Sequence, residues 1–135
     1  MKKLFLFLSL VIFFVSCNSI SQEKSYEVTK EELLKKEQEN PAGFVKVEGG
    51  QKKNLIGQTV VKGTLTNKAS VAVFKDVEIK LSFYSKTRAL LETDKETIFE
   101  VLQPGESKNF KTKYFAPKGT DSVALQVLGA KAVSN

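Results

Sequence analysis

From Lys75 to Tyr84 the chain reads KDVEIKLSFY, with Val77, Ile79, Leu81 and Phe83 on alternate positions and Asp76, Glu78, Lys80 and Ser82 between them. An unbroken period of two marks a half-buried β-strand. The branched and aromatic residues on its apolar side suit a pleated surface. Similar, shorter patterns flank it. Phe44–Val47 predicts a first strand closed by Gly49-Gly50, and Thr59–Asn67 a second, in which Gly63 marks a bulge or a close backbone approach. Lys68–Val73 reads as a further edge strand. Leu90-Leu91 and Thr97–Leu102 flank a polar interruption at Glu92–Glu96. Lys108–Ala116 alternates Phe110, Thr112 and Tyr114 against lysines, and Ser122–Val133 closes the chain with a break at Gly129.

The turns between these segments carry their own chemistry. Gln103-Pro104-Gly105-Glu106 fits a type II turn, with Pro at the second position and Gly at the third, where φ must be positive. Ser85–Arg88 and Pro117–Asp121 supply two more. About seven short strands at regular spacing predict an all-β antiparallel sandwich or barrel. With neither Trp nor a Cys in this stretch, its core is expected to rest on Phe44, Phe74, Phe83, Phe99, Phe110 and the aliphatics. About ninety residues bury near 60% of their unfolded surface, which suffices without disulfides.

The N-terminal third follows a different pattern. Lys2 and Lys3 precede a continuous apolar run, Leu4–Val15, too short to span a bilayer as a helix and typical of an export signal. Asn18–Tyr26 is small and polar and reads as a flexible linker. Thr29-Lys30-Glu31-Glu32 fits a capping box, with Val28 and Leu33 as a hydrophobic staple, so a helix is expected over Lys30–Glu39, ended by Asn40-Pro41. Only Leu33 and Leu34 are firmly apolar inside it, so it reads as a spacer rather than a partner-binding helix. The division is residues 1–16 as signal, 17–42 as Cys17, linker and helix, and 43–135 as the β-domain.

Charge divides along the same boundary. Residues 18–42 carry four Lys and six Glu, and residues 43–135 carry fifteen basic and nine acidic side chains. The bases are spread along every segment of the domain, and all but one are Lys, the poorer group for bidentate phosphate recognition. Nucleic acid is therefore not expected as a partner, while a glycan or an anionic surface stays open. The chain has no His, which removes the usual general base and the commonest metal ligand. Asp94 and Glu96 are paired carboxylates, but too few oxygens lie near them in sequence for a cation site, and a solvated connection is the simpler reading. Tyr84 falls on the polar side of its strand, to stack on a sugar or to pack across the outer face. No catalytic residue, cofactor or metal site is expected.

Two resemblances sharpen this picture. Phe14-Val15-Ser16-Cys17 resembles a bacterial lipobox, with Phe where that pattern usually has Leu. It implies cleavage after Ser16 and lipidation of Cys17, the only cysteine, tethering the chain to a membrane. Gly63-Thr64-Leu65-Thr66-Asn67, the strand from Asp76-Val77 to Phe83-Tyr84, and Pro104-Gly105-Glu106 with Phe110 together resemble the FxLYD domain family, in a variant common in small lipoproteins of Bacteroidota. Leu81, Phe83 and Ser85 stand where the family has Phe, Leu and Asp; Tyr84 matches. The resemblance covers about Phe44–Val133 and implies an immunoglobulin-like β-sandwich, which the short helix read above precedes; it carries no catalytic role. The expected function is a non-enzymatic, lipid-anchored envelope module with a protein partner, on the periplasmic face of the outer membrane. The alternative is a lipoprotein that binds a small ligand or glycan.

Overall fold

The computed structural model describes the backbone of residues 19–134, and side chains from Tyr26 onward except that of Val28. Helix α1 spans Ser19–Glu39 and the single turn α2 spans Pro41–Phe44. Six strands follow: β1 Val45–Lys53, β2 Thr59–Asn67, β3 Phe74–Tyr84, β4 Leu90–Leu102, β5 Ser107–Tyr114 and β6 Ser122–Ala132. They form two antiparallel three-stranded sheets, ordered β1-β2-β5 and β4-β3-β6. The sheets enclose one apolar core, a sandwich-like arrangement.

The helix begins eleven residues before the expected start. Gln22, Glu23, Lys24 and Glu27 are good helix formers, and they continue the helix through the segment that reads as a linker. Thr29 is consequently mid-helix, and the capping-box pattern marks no terminus. The stop at Asn40-Pro41 falls where expected, and Pro41 opens α2, where its missing N–H costs nothing.

Six strands stand where about seven were expected, and three segments depart from the pattern. β1 runs through Gly49-Gly50 instead of stopping there, because its pairing with β2 continues unbroken to Lys53↔Thr59. Leu90–Leu102 is one strand of 13 residues: Glu92–Glu96 pairs with Ile79–Phe83 of β3 and is not a connection. Lys68–Val73 forms no strand. It is the crossover from one sheet to the other, and the N–H groups of Ala69, Ser70, Val71 and Ala72 are bonded to side chains.

The organising strand is the centre of the second sheet, with Val77, Ile79, Leu81 and Phe83 all buried, as their alternation predicts. Each contributes about 1.5–3 kcal/mol by leaving water. One irregularity extends its reach. Asp76 has φ 50 and sits in a register shift between Lys75 and Val77. The extra residue changes the phase of the pleat, so Phe74 and Val77 both face the core.

Gly63 is a close approach and not a bulge: its register with β1 and β5 is regular, and the Phe110 ring lies over it. Gln103–Glu106 is the expected turn, with Glu106 N–H on Gln103 O at 3.0 Å and Gly105 at φ 76. Of the five phenylalanines expected inside, Phe74, Phe83 and Phe110 are buried and Phe44 is half-buried. Phe99 is 80% exposed. Ile98 is the residue opposite Val77, so the pleat turns Phe99 to the outer face.

Candidate functional site

Cys17 and the segment before it lie outside the described residues, which open in α1 at Ser19. Among the described residues, the far end of that helix meets the sandwich. Leu34 packs on the core, and Glu37 is buried to 1% exposure. The Glu37 carboxylate accepts three consecutive backbone N–H groups of the crossover: Ser70 on Oε1 at 2.7 Å, and Val71 and Ala72 on Oε2 at 2.9 and 2.8 Å. Burial alone would push its pKa up. The three N–H donors outweigh burial and hold it below the usual 4.5.

The other side of the crossover belongs to Asn67, which is fully buried. Its Nδ2 donates to Ala72 O at 2.9 Å and Leu102 O at 3.0 Å, and its Oδ1 accepts Ala69 N–H at 2.9 Å. Glu37 and Asn67 thus replace the ladder that a strand here would have had. Neither was legible as important. Glu37 is one glutamate among several on a polar helix, and Asn67 reads as a residue ending a strand. Both are fully committed to backbone groups, which makes this a structural joint with no capacity for chemistry.

The carboxylates singled out in the sequence lie on β4. Asp94 accepts the N–H of Lys95, and Glu96 accepts the Tyr114 hydroxyl at 2.8 Å across the gap between the sheets. Burial, joined by the bond to Glu96, raises the Tyr114 pKa to about 12 against an opposing bond to Thr112. Its ring meets Phe83 edge-on at 6.1 Å, so Tyr114 closes the sandwich along this side. Lys108 and Glu100 do the same further along at 3.4 Å. Tyr84 is half-buried between Leu90 and Ser122. Among the described residues no group of three or more His, Cys, Asp or Glu converges to hold a metal, and no helix is long and apolar enough to cross a membrane.

The surface with a distinct chemical character is the outer face of β1-β2-β5. The lysines that are dispersed in the sequence meet there. Lys62 stands directly opposite Lys111, and Val60 lies between Lys52 and Lys113. Val60 points outward yet is buried, its methyl groups covered by neighbouring lysine stems. Among the described residues Lys52, Lys53, Lys62, Lys111 and Lys113 form no ion pair. The acid on the strands of this face is Glu48, and it is paired with Lys46, whose hydrogen bond and charge hold its carboxyl below the usual range.

Along this face the character changes in order. Near the α1 joint it is neutral, with Thr64 bonded to Asn109 and Thr66 to Ser107, both at 2.8 Å. The lysines occupy the middle. At the far end the β1-β2 turn leaves Leu55 and Ile56 exposed, and Phe115 is exposed just past Lys113. Leu55 lines one groove with Lys52, Lys62 and Lys111. The turn is set by Asn54, whose Oδ1 accepts the N–H groups of Ile56 and Gln58, and by Gly57 at φ 82. β2 runs the length of the face, so turn and joint lie about 25 Å apart.

A second apolar patch lies on the outer face of the other sheet, where Phe99 and Leu128 line a groove with Asp76, Glu78 and Lys131. Both of its acids are paired, Asp76 with Lys131 at 3.1 Å and Glu78 with Lys95 at 3.6 Å. No protein-family model, no curated protein and no solved structure matches the chain.

Proposed function

We propose that this chain is a non-enzymatic, lipid-anchored module of a bacterial envelope, attached through Cys17 and serving a protein-interaction or accessory role at the periplasmic face of the outer membrane. The domain is read as an immunoglobulin-like sandwich of the FxLYD type. Two returning strands support that reading: β5 comes back to pair with β2, and β6 comes back to pair with β3.

The observation that carries the proposal is the joint at Glu37. The described residues open in a helix, Ser19–Glu39, whose far end is bonded by a buried carboxylate into the crossover between the two sheets. A leader of this kind presents a domain at a set distance from its point of attachment.

Growth with labelled palmitate tests the anchor. The wild-type chain is expected to take up label and to remain with the membrane fraction, and Cys17→Ala is expected to lose both. Absence of label, or membrane retention unchanged by Cys17→Ala, overturns the anchored reading. Crosslinking in intact cells then tests the role: recovery of a protein partner supports it, whereas retention on a glycan with no protein recovered replaces it with the glycan-binding alternative.

A further inference from the structure

We propose that the outer face of β1-β2-β5, with Leu55, Ile56 and Phe115 at its tip, is a docking surface for an anionic lipid bilayer. Three observations converge. The first is a like-charge contact within the fold: Lys62 and Lys111 are direct cross-strand neighbours, Lys52 and Lys113 flank them across Val60, and none of the four has an acidic partner among the described residues. Like charges placed opposite each other weaken a sheet. An anionic surface lying over them turns that weakness into attraction.

The second observation is the position of the apolar side chains. Leu55 is fully exposed, Ile56 72% exposed and Phe115 80% exposed, and all three sit at one end of the lysine field. They project from a turn and a strand end, and Leu55 borders the groove it shares with Lys52, Lys62 and Lys111. Side chains of this kind enter the boundary between headgroups and acyl chains, while lysines beside them meet the phosphates. A polysaccharide offers nothing to Leu55 and Ile56, and a second copy of this chain would bring lysines against lysines.

The third observation is the choice of cation. The face carries Lys throughout and no Arg. Lysine is a mobile point charge on a flexible stem, suited to a fluid plane of headgroups, whereas recognition of one fixed phosphate or carboxylate favours the planar fork of Arg. The acid on the face, Glu48, is already neutralised by Lys46. The inference does not depend on acylation of Cys17.

The chain contains no Trp, so Phe115→Trp places a single indole on the face. The purified full chain is mixed with vesicles of phosphatidylcholine containing phosphatidylglycerol, and with vesicles of phosphatidylcholine alone. With the anionic vesicles the emission is expected to shift to the blue and to be quenched by brominated lipid, and added salt is expected to reverse both. Adding Lys111→Glu and Lys113→Glu, with circular dichroism showing the fold retained, is expected to abolish the shift. Emission that stays at the wavelength of water-exposed indole, that shifts equally on uncharged vesicles, or that ignores the charge reversal overturns the proposal. A shift with dextran sulfate but none with vesicles also overturns it, in favour of a soluble polyanion. The reporter sits on the face itself, so attachment through the N-terminal segment does not mimic the signal. The palmitate experiment can therefore fail while this one succeeds, and the reverse.

Discussion

A β-carbon at Gly63 would lie 2.5 Å from the Phe110 ring and 2.9 Å from the carbonyl oxygen of Glu48. The ring cannot move outward without leaving the core, and the carbonyl belongs to a neighbouring strand. Gly63→Ala is therefore expected to lower stability by about 1–3 kcal/mol, read as a lower urea midpoint at unchanged slope. Combining it with Phe110→Leu should recover part of the loss, because the shorter side chain frees the space; an unchanged midpoint for Gly63→Ala alone would show that the sheet has room. The sequence exposed this position, since a glycine inside a β-rich run asks for a close neighbour. It did not reveal which neighbour, because Phe110 is 47 positions away and only the β2-β5 register joins them. Phe99 fails for a related reason. In TIFEVL both Ile98 and Phe99 are apolar, and period alone does not choose between two adjacent candidates. Pairing with Val77 chooses Ile98.

At the level of elements, the crossover and α1 hold each other. Glu37→Ala removes the acceptor for three N–H groups, of which that of Ala72 belongs to a fully buried residue with no access to replacement water. The expected cost is about 1–3 kcal/mol, with faster proteolysis near residues 68–73 as the sign that the damage is local. The pH dependence follows from the direction of the shift. The carboxyl is held below 4.5 in the folded chain, so its contribution is fully present above that value and is lost as pH falls through the lower folded value. The wild type should lose stability on acidification below about pH 4.5, by a margin that Glu37→Ala does not show. Equal acid sensitivity of the two proteins would remove Glu37 from the account. Here local pattern misled in both directions. It placed a helix start at Thr29, where helix formers simply continue, and an edge strand at Lys68–Val73, where the distant Glu37 and the adjacent Asn67 had taken the backbone's hydrogen bonds.

Over the whole molecule, strand positions and turns were largely legible, and the partition of strands into sheets was not. The distribution of lysines shows why. In sequence Lys52, Lys62, Lys111 and Lys113 fall in three separate segments and read as an evenly solvated surface. Two antiparallel pairings make them neighbours. That arrangement has a cost to folding that can be measured apart from any ligand. Lys111→Glu replaces a like-charge pair with an opposite one and is expected to raise stability by about 0.2–1 kcal/mol in low salt, seen as a higher melting temperature. The gain should shrink as salt screens the face. A variant that melts lower, or a gain indifferent to salt, would mean that Lys62 and Lys111 do not sense each other's charge.

The Glu37 joint also settles how force would enter this domain. The covalent path from α1 leads through α2 into β1, an edge strand, and tension along that path alone would peel β1 from β2 one ladder bond after another, starting at Val45↔Asn67. With the carboxylate in place, a pull from the Ser19 end is first resisted by three hydrogen bonds loaded together, on a segment that joins both sheets. Unzipping becomes shearing. A domain held against flow or against a moving partner would keep its edge strand until that one side chain let go.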